Sequence, residues 1–417
     1  MKKLSLILLL LLSGYARASY ILIPMDLAQK EHLKAYGIAY WILKNGGTVD
    51  WLLNYRGGSF VTKYVKNIES ECAVRGVSAE VVADAQYTGI LTEIANPETN
   101  MDVVKLEKAP KIAVYQPKAM QPWDDAVTMV LAYAEIPYDA VYDDEVLDDK
   151  LTKYDWLHLH HEDFTGQYGK FYAGYANVKW YQDQVAEQEE IAKRRGFTKV
   201  SKLKLAVAQK IRDFVGNGGF MFAMCSAPDS YDIALDAANT DICDVMFDHD
   251  PEDPQAQSKL DYSQGFAFEN FHIKTNPMEY AKSDIDVGTN RGVPKDIDYF
   301  TLFEFSAKWD QVPTMLTQCH TRTVKGFLGQ TTAFNKNYIK KTVLVMGENK
   351  SVNEARYIHG EYGKGMWTFY GGHDPEDYQH MVYDPKTDLS LHPNSPGYRL
   401  ILNNVLFPAA RKKKQKT

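Results

Sequence analysis

The segment from Gly218 to Asp229 constrains this chain most. Gly218 and Gly219 precede an unbroken apolar run, Phe220 to Met224, of the length of a buried strand. Cys225 follows, and Asp229 to Ala238 has a helix-forming composition. A strand that turns sharply into a helix exposes one side chain at the sheet's carboxyl edge, with backbone N–H groups nearby to hold an oxyanion. Ala223 and Ala227, two residues either side of the cysteine, are small enough for such a turn. Far downstream, Gly365 to Tyr370 reads as a second apolar strand, closing on Gly371-Gly372-His373. A cysteine and a histidine on separate strand ends make a candidate catalytic pair. The opposing reading is packing, since cysteine is among the most buried residue types.

Around this segment, strands alternate with helices. Lys111 to Tyr115 is a strand, Asp124 to Ala134 a helix, Tyr138 to Tyr142 a strand, and Tyr154 to His160 another. Helix Lys202 to Val215, the Cys225 strand and its helix continue the series. Thr342 to Met346 is a further strand, Arg356 to Gly372 a hairpin about Gly363-Lys364-Gly365, and Gly397 to Leu406 a closing helix. Such alternation predicts crossovers and a parallel sheet with helices on both faces, a doubly wound α/β fold. Ahead of it, Tyr20 to Asn54 reads as a β-α-β extension.

Two excursions interrupt the series. Residues 164–200 are rich in aromatics, read either as a ligand-stacking lid or as the insertion's own core. Residues 243–335 carry many turn formers and few regular elements. The division expected is therefore a leader at 1–18, an N-terminal α/β subdomain at 20–108, an α/β domain at 109–408 with insertions 164–200 and 243–335, and a basic tail at 409–417.

The leader follows from Lys2 and Lys3, the apolar run Leu4 to Leu12, and Ala16-Arg17-Ala18, which together make a secretory signal cleaved after Ala18. A periplasmic or extracellular location is implied. No later run is long enough to span a bilayer. The formal charge of −7 becomes −10 once Lys2, Lys3 and Arg17 leave, which gives no general attraction to nucleic acid or anionic membranes. Cys72, Cys225, Cys243 and Cys319 admit two disulfides in three connectivities, or four free thiols. No phosphate-binding glycine loop and no CxxC occur, so no cofactor is implied.

Two polar clusters sit at expected strand ends. His160, His161 and Glu162 close the Tyr154–His160 strand, where α/β sheets bind ligands. They read as substrate-binding residues, with metal ligation the lesser alternative because no helical ligand spacing completes a site. His158 reads as a core histidine. In His373-Asp374-Pro375-Glu376-Asp377, Asp374 fits a helix N-cap and Pro375 a first helical position. As a base, His373 would take the Cys225 proton, with Asp374 or Glu376 orienting the ring.

In the order of these elements, from Lys111 to Leu406, the chain resembles the class I glutamine amidotransferase-like superfamily. Its late Gly-x-Gly hairpin ending in Gly-His is also similar to the ThuA-like branch, associated with carbohydrate utilisation. The resemblance implies a flavodoxin-like fold, Cys225 as nucleophile and His373 as base, with Glu376 matching the orienting acid only across a one-residue insertion. Ala223 and Ala227 stand where the family's G-x-C-x-G elbow has glycines, and residues 20–108 are not covered.

The function expected is an exported cysteine-dependent hydrolase or amidase acting on a small, peptide- or glycan-derived substrate. Ser226 and its neighbours would hold the oxyanion, and His160, His161, Glu162 and Asp374 would contact substrate. The alternatives are a non-catalytic carbohydrate- or envelope-component-binding protein and a metal-assisted hydrolase on His160, His161, Glu162 and His373. An asparagine-synthetase reading finds no support: there is no N-terminal cysteine nucleophile and no SGGxDS-type loop.

Overall fold

The structure, a computed structural model, describes residues 19–118, 121–288 and 291–410. The leader at 1–18 and residues 411–417 of the basic tail lie outside the described residues. Fifteen strands form two sheets.

The first sheet comprises β1 (Tyr20–Ile23), β2 (Val49–Leu53), β3 (Ser59–Lys63), β4 (Glu80–Val82) and β5 (Asp102–Leu106), in the order β4-β1-β3-β2-β5. Every pairing is antiparallel. Gly57 and Gly58 both take positive φ, 76° and 89°, and reverse the chain between β2 and β3. That turn lays β3 between β1 and β2, antiparallel to both. The expected β-α-β extension is thus corrected to an antiparallel sheet. Helix His32–Lys44 buries Tyr36, Ile38 and Leu43 against it.

The second sheet holds β6 (Ile112–Tyr115), β7 (Asp139–Val141), β8 (Trp156–Leu159), β9 (Phe220–Met224), β10 (Tyr299–Leu302), β11 (Thr323–Lys325), β12 (Phe334–Asn335), β13 (Leu344–Asn349), β14 (Glu354–Tyr362) and β15 (Gly365–Tyr370). Its order is β11-β10-β13-β14-β15-β9-β8-β6-β7, with β12 beside β14. Four pairings are parallel and five antiparallel. The doubly wound, mostly parallel flavodoxin-like sheet is therefore not what forms. The reason lies in the chain after β9. Its excursion over residues 243–335 adds β10, β11 and β12 as antiparallel neighbours, and the chain reaches β15 through a hairpin in which Tyr362 pairs Gly365 across Gly363-Lys364. Gly363 has φ 61°. A two-residue turn can only add an antiparallel neighbour.

The strands alternate between two cores, as a period of two requires. Ile112, Val114, Trp156, Phe222, Met224 and Tyr370 face the first sheet and helix Pro396–Leu406. Ala113, Leu157, Leu159, Met221, Ala223 and Phe369 face helices Val200–Gly216 and Ala227–Asp236 and the 243–335 excursion. Buried Arg399, on helix Pro396–Leu406, donates Nη1–H to the Met25 carbonyl at 2.9 Å and Nε–H to Tyr36 at 3.0 Å. It thereby ties the two sheets together. No helix among the described residues is long and apolar enough to cross a membrane.

Candidate functional site

Parallel pairing aligns strand ends. Tyr115 pairs Leu159, Leu159 pairs Ala223, and Met224 pairs Tyr370. The residues just past those ends therefore meet: the loop after β6, His160-His161 after β8, Cys225 after β9, and Gly371 to His373 after β15.

Cys225 has φ 51°, in the left-handed region that a non-glycine residue rarely adopts. Its N–H donates to the Gly372 carbonyl at 3.1 Å, and the Ala227 N–H donates to the His160 carbonyl at 3.0 Å. The Ser226 N–H between them has no backbone acceptor among the described residues. Helix Ala227–Asp236 begins there, so its positive end lies beside the sulfur. Only 5% of Cys225 is exposed.

Ring nitrogens of His160, His161 and His373 and the Cys225 sulfur all lie within 4.8 Å of one another. The His160 and His161 rings stack at 4.0 Å, and His373 lies 4.9 Å from each. Two adjacent aspartates serve this cluster from the loop after β6. His373 Nε2–H donates to Asp124 Oδ1 at 3.1 Å. His160 Nδ1 forms an ion pair with Asp125 Oδ1 at 3.2 Å, and Asp125 Oδ2 lies 3.2 Å from His158 Nε2. Asp125 caps helix Ala126–Tyr133, accepting from the N–H groups of Val127 and Thr128, which fixes its carboxylate in place. His161 Nε2–H donates to the Asp124 carbonyl at 2.6 Å.

These contacts set the charges. Burial lowers the His160 pKa, but the Asp125 carboxylate and the Cys225 sulfur raise it to about 10. Burial likewise opposes protonation of His373, and its bonds to Asp124 and Cys225 lift it to about 9. Burial and the neighbouring His160 charge hold His161 neutral, at about 4. Burial raises the Cys225 thiol, yet the hydrogen bonds of the protonated imidazoles His160 and His373 outweigh it and bring it well below the ordinary thiol value. The result is a thiolate–imidazolium arrangement.

A cavity of about 340 Å³ opens onto Cys225, His161 and His373. Phe171 and Tyr175 of the aromatic insertion line it, while Phe164, Tyr168 and Tyr181 are buried core, so the insertion serves as both wall and core. Gly329, from the 243–335 excursion, packs on the Gly372–His373 peptide, and a Cβ on it would fall 2.8 Å from His373 N. The Gly372 φ is 104°, and a Cβ there would strike the Phe327 ring at 2.3 Å. Both glycines are needed for this contact, which seats His373.

The remaining expected site residues lie otherwise. Glu376 pairs with His392 Nδ1 at 3.1 Å, and Asp124 is the acid on His373. Asp374 accepts from the Glu376 N–H and from Thr387 Oγ1, in a turn rather than at the start of a helix. The Ser226 hydroxyl donates to the carbonyls of His161 and Glu162 behind the cavity, and Lys282 Nζ donates to it at 3.4 Å. Burial raises Glu162 to about 7, and its carboxylate approaches the His160 N–H at 3.4 Å. All four cysteines are free thiols. Sequence reading missed Trp123, Asp124, Asp125 and His380. Asp124 had been placed only as a helix start, although the loop after β6 leaves the same sheet edge as His160.

No family model and no curated protein matches the chain. Among solved structures it is similar to a cytoplasmic protein from Salmonella typhimurium, at 12% identity over 72% of this chain and 100% of that one, TM-score 0.36. It is also similar to a beta-galactosidase from Bacillus circulans sp. alkalophilus, at 11% identity over 65% of this chain and 29% of that one, TM-score 0.25. Likenesses this weak carry no argument about chemistry.

Proposed function

We propose that this protein is an exported cysteine-dependent hydrolase or amidase for a small, peptide- or glycan-derived substrate. The observation that carries this reading is Cys225 at φ 51°, on a helix N-terminus, faced by two Asp–His pairs. The thiolate attacks the acyl carbon and forms a C–S bond, while the Ser226 N–H stabilises the oxyanion. The bond to the amine or alcohol then breaks, and His373 gives that leaving group its proton. Water, deprotonated by His373, hydrolyses the thioester and releases the acid. Asp124 keeps the ring oriented throughout. This is amidotransferase-like chemistry with Asp124 in the place of the family's glutamate.

Metal-assisted hydrolysis is the second reading, favoured by the four ligand atoms within 4.8 Å. The helix N-terminus at Cys225 opposes it, because that end favours an anion over a cation. The test is an activated acyl ester followed by mass spectrometry. An acetyl adduct on Cys225, absent in Cys225→Ala and unchanged by EDTA, is the expected result. Hydrolysis that persists in Cys225→Ala and stops with EDTA would transfer the assignment to a metal.

A further inference from the structure

Resting on Cys225 as nucleophile, the cavity wall limits which compounds can reach it. Trp123, Phe171, Tyr175 and Tyr280 supply flat aromatic faces. Trp123 stacks on Phe171 with centroids 5.1 Å apart, and Trp180 meets Trp123 edge-on at 5.0 Å, so that side is stiff. Outside the cysteine and histidine side chains, the polar groups are uncharged: the amides of Gln330 and Gln379, the hydroxyls of Tyr175 and Tyr280 and the Trp123 N–H. The Gln330 Nε2–H donates to the Gly169 carbonyl at 2.6 Å, which fixes its orientation. Among the described residues, no Asp, Glu, Lys or Arg lines the cavity.

An α-amino acid brings an ammonium and a carboxylate. Here the charged groups of the wall, the Cys225 thiolate and the His373 imidazolium, already neutralise each other and Asp124, so both ligand charges would lose water without meeting a free counter-charge, which disfavours entry. An uncharged ring escapes the cost of stripping water from an ion and gains aromatic contact. We propose that the cavity accepts an uncharged, ring-bearing amide or ester and rejects free amino acids such as glutamine. Aryl and sugar rings share this chemistry.

Four alkylating agents with one reactive group separate the possibilities: bromoacetamide, N-bromoacetylaniline, N-bromoacetylglucosamine and Nδ-bromoacetylornithine. In each, the thiolate forms a C–S bond and bromide leaves. Rates of Cys225 modification are measured by mass spectrometry and divided by each compound's rate with glutathione. A ring compound should exceed bromoacetamide by about tenfold or more, with the zwitterionic ornithine compound below it. The faster ring identifies aryl or sugar. Trp123→Ala and, separately, Tyr280→Leu should lower that advantage. An ornithine compound faster than both rings, or rings no faster than bromoacetamide, overturns the proposal while leaving the nucleophile intact. No labelling by bromoacetamide overturns the nucleophile reading and this one with it.

Discussion

Two buried cysteines, one past the end of β9 and one in the chain after helix Ala227–Asp236, have opposite surroundings. Cys225 is 5% exposed and Cys243 fully buried. Cys225 meets three imidazoles and a helix N-terminus, and its thiol is held far down. Cys243 donates Sγ–H to the Thr165 carbonyl at 3.3 Å, and burial together with the carboxylates of Asp241 and Asp248 pushes its thiol far up. Neighbours, not exposure, set the two thiols' opposite ionisation.

The largest expected effect is the labelling contrast itself. At pH 6.5, iodoacetamide should modify Cys225 on the order of a thousandfold faster than Cys243 in the native protein. Peptide mass spectrometry reads the ratio, and comparable rates would dissolve the comparison. The Cys225 rate should hold its plateau across neutral pH and fall only as pH drops through the depressed thiol value.

Asp125→Asn removes the charge behind His160. It should slow Cys225 labelling at pH 6.5 by about tenfold and move its pH midpoint upward. Circular dichroism of the variant checks that the fold is retained.

The imidazoles also set an acid limit on stability. Burial holds His161 and His359 neutral at about 4 and His320 at about 3. Their folded values lie below the unfolded value near 6.5, so the unfolded chain binds more protons between those limits. Stability should therefore fall as pH drops from 6.5 toward 4, by about 1.4 kcal/mol per pH unit for each group. His160 and His373 are raised, so their contribution is complete below 6.5 and lost as pH rises through 9 to 10. Thermal melting at pH 5, 7.5 and 10 should peak at the middle value.

The smallest effect sharpens the other side. Asp241→Asn removes one of the carboxylates facing Cys243 and should lower its thiol midpoint by a fraction of a unit, read by thiolate absorbance in Cys225→Ser. A fall as large as the rise in Asp125→Asn would mean that the carboxylates, not burial, dominate at Cys243.

The sequence made the strand ends legible because apolar runs stop where burial stops. Cys225, His160, His161 and His373 each follow such a run, and they meet. Asp124 and Asp125 follow none. Their role comes from the loop after β6 reaching across two strands, which no local spacing encodes. Glu376 was expected to orient His373 from its place in the His-Asp-Pro-Glu run and from the family resemblance, but Asp374 and Asp377 bridge and the segment turns, which leaves Glu376 on His392. The sheet's direction was misjudged because the Gly363-Lys364 hairpin was recognised without drawing its antiparallel consequence.

Asp124 and His373 lie 249 residues apart in the chain, with His160 and Cys225 between them. Until β15 docks beside β9, Cys225 has His160, carried by β8, but lacks His373. The lowering of its thiol value is thus completed only by long-range closure, the slowest kind of contact to form. A chain that stalls halfway lacks His373 beside the sulfur, so the fully lowered thiol value itself reports that β15 has docked.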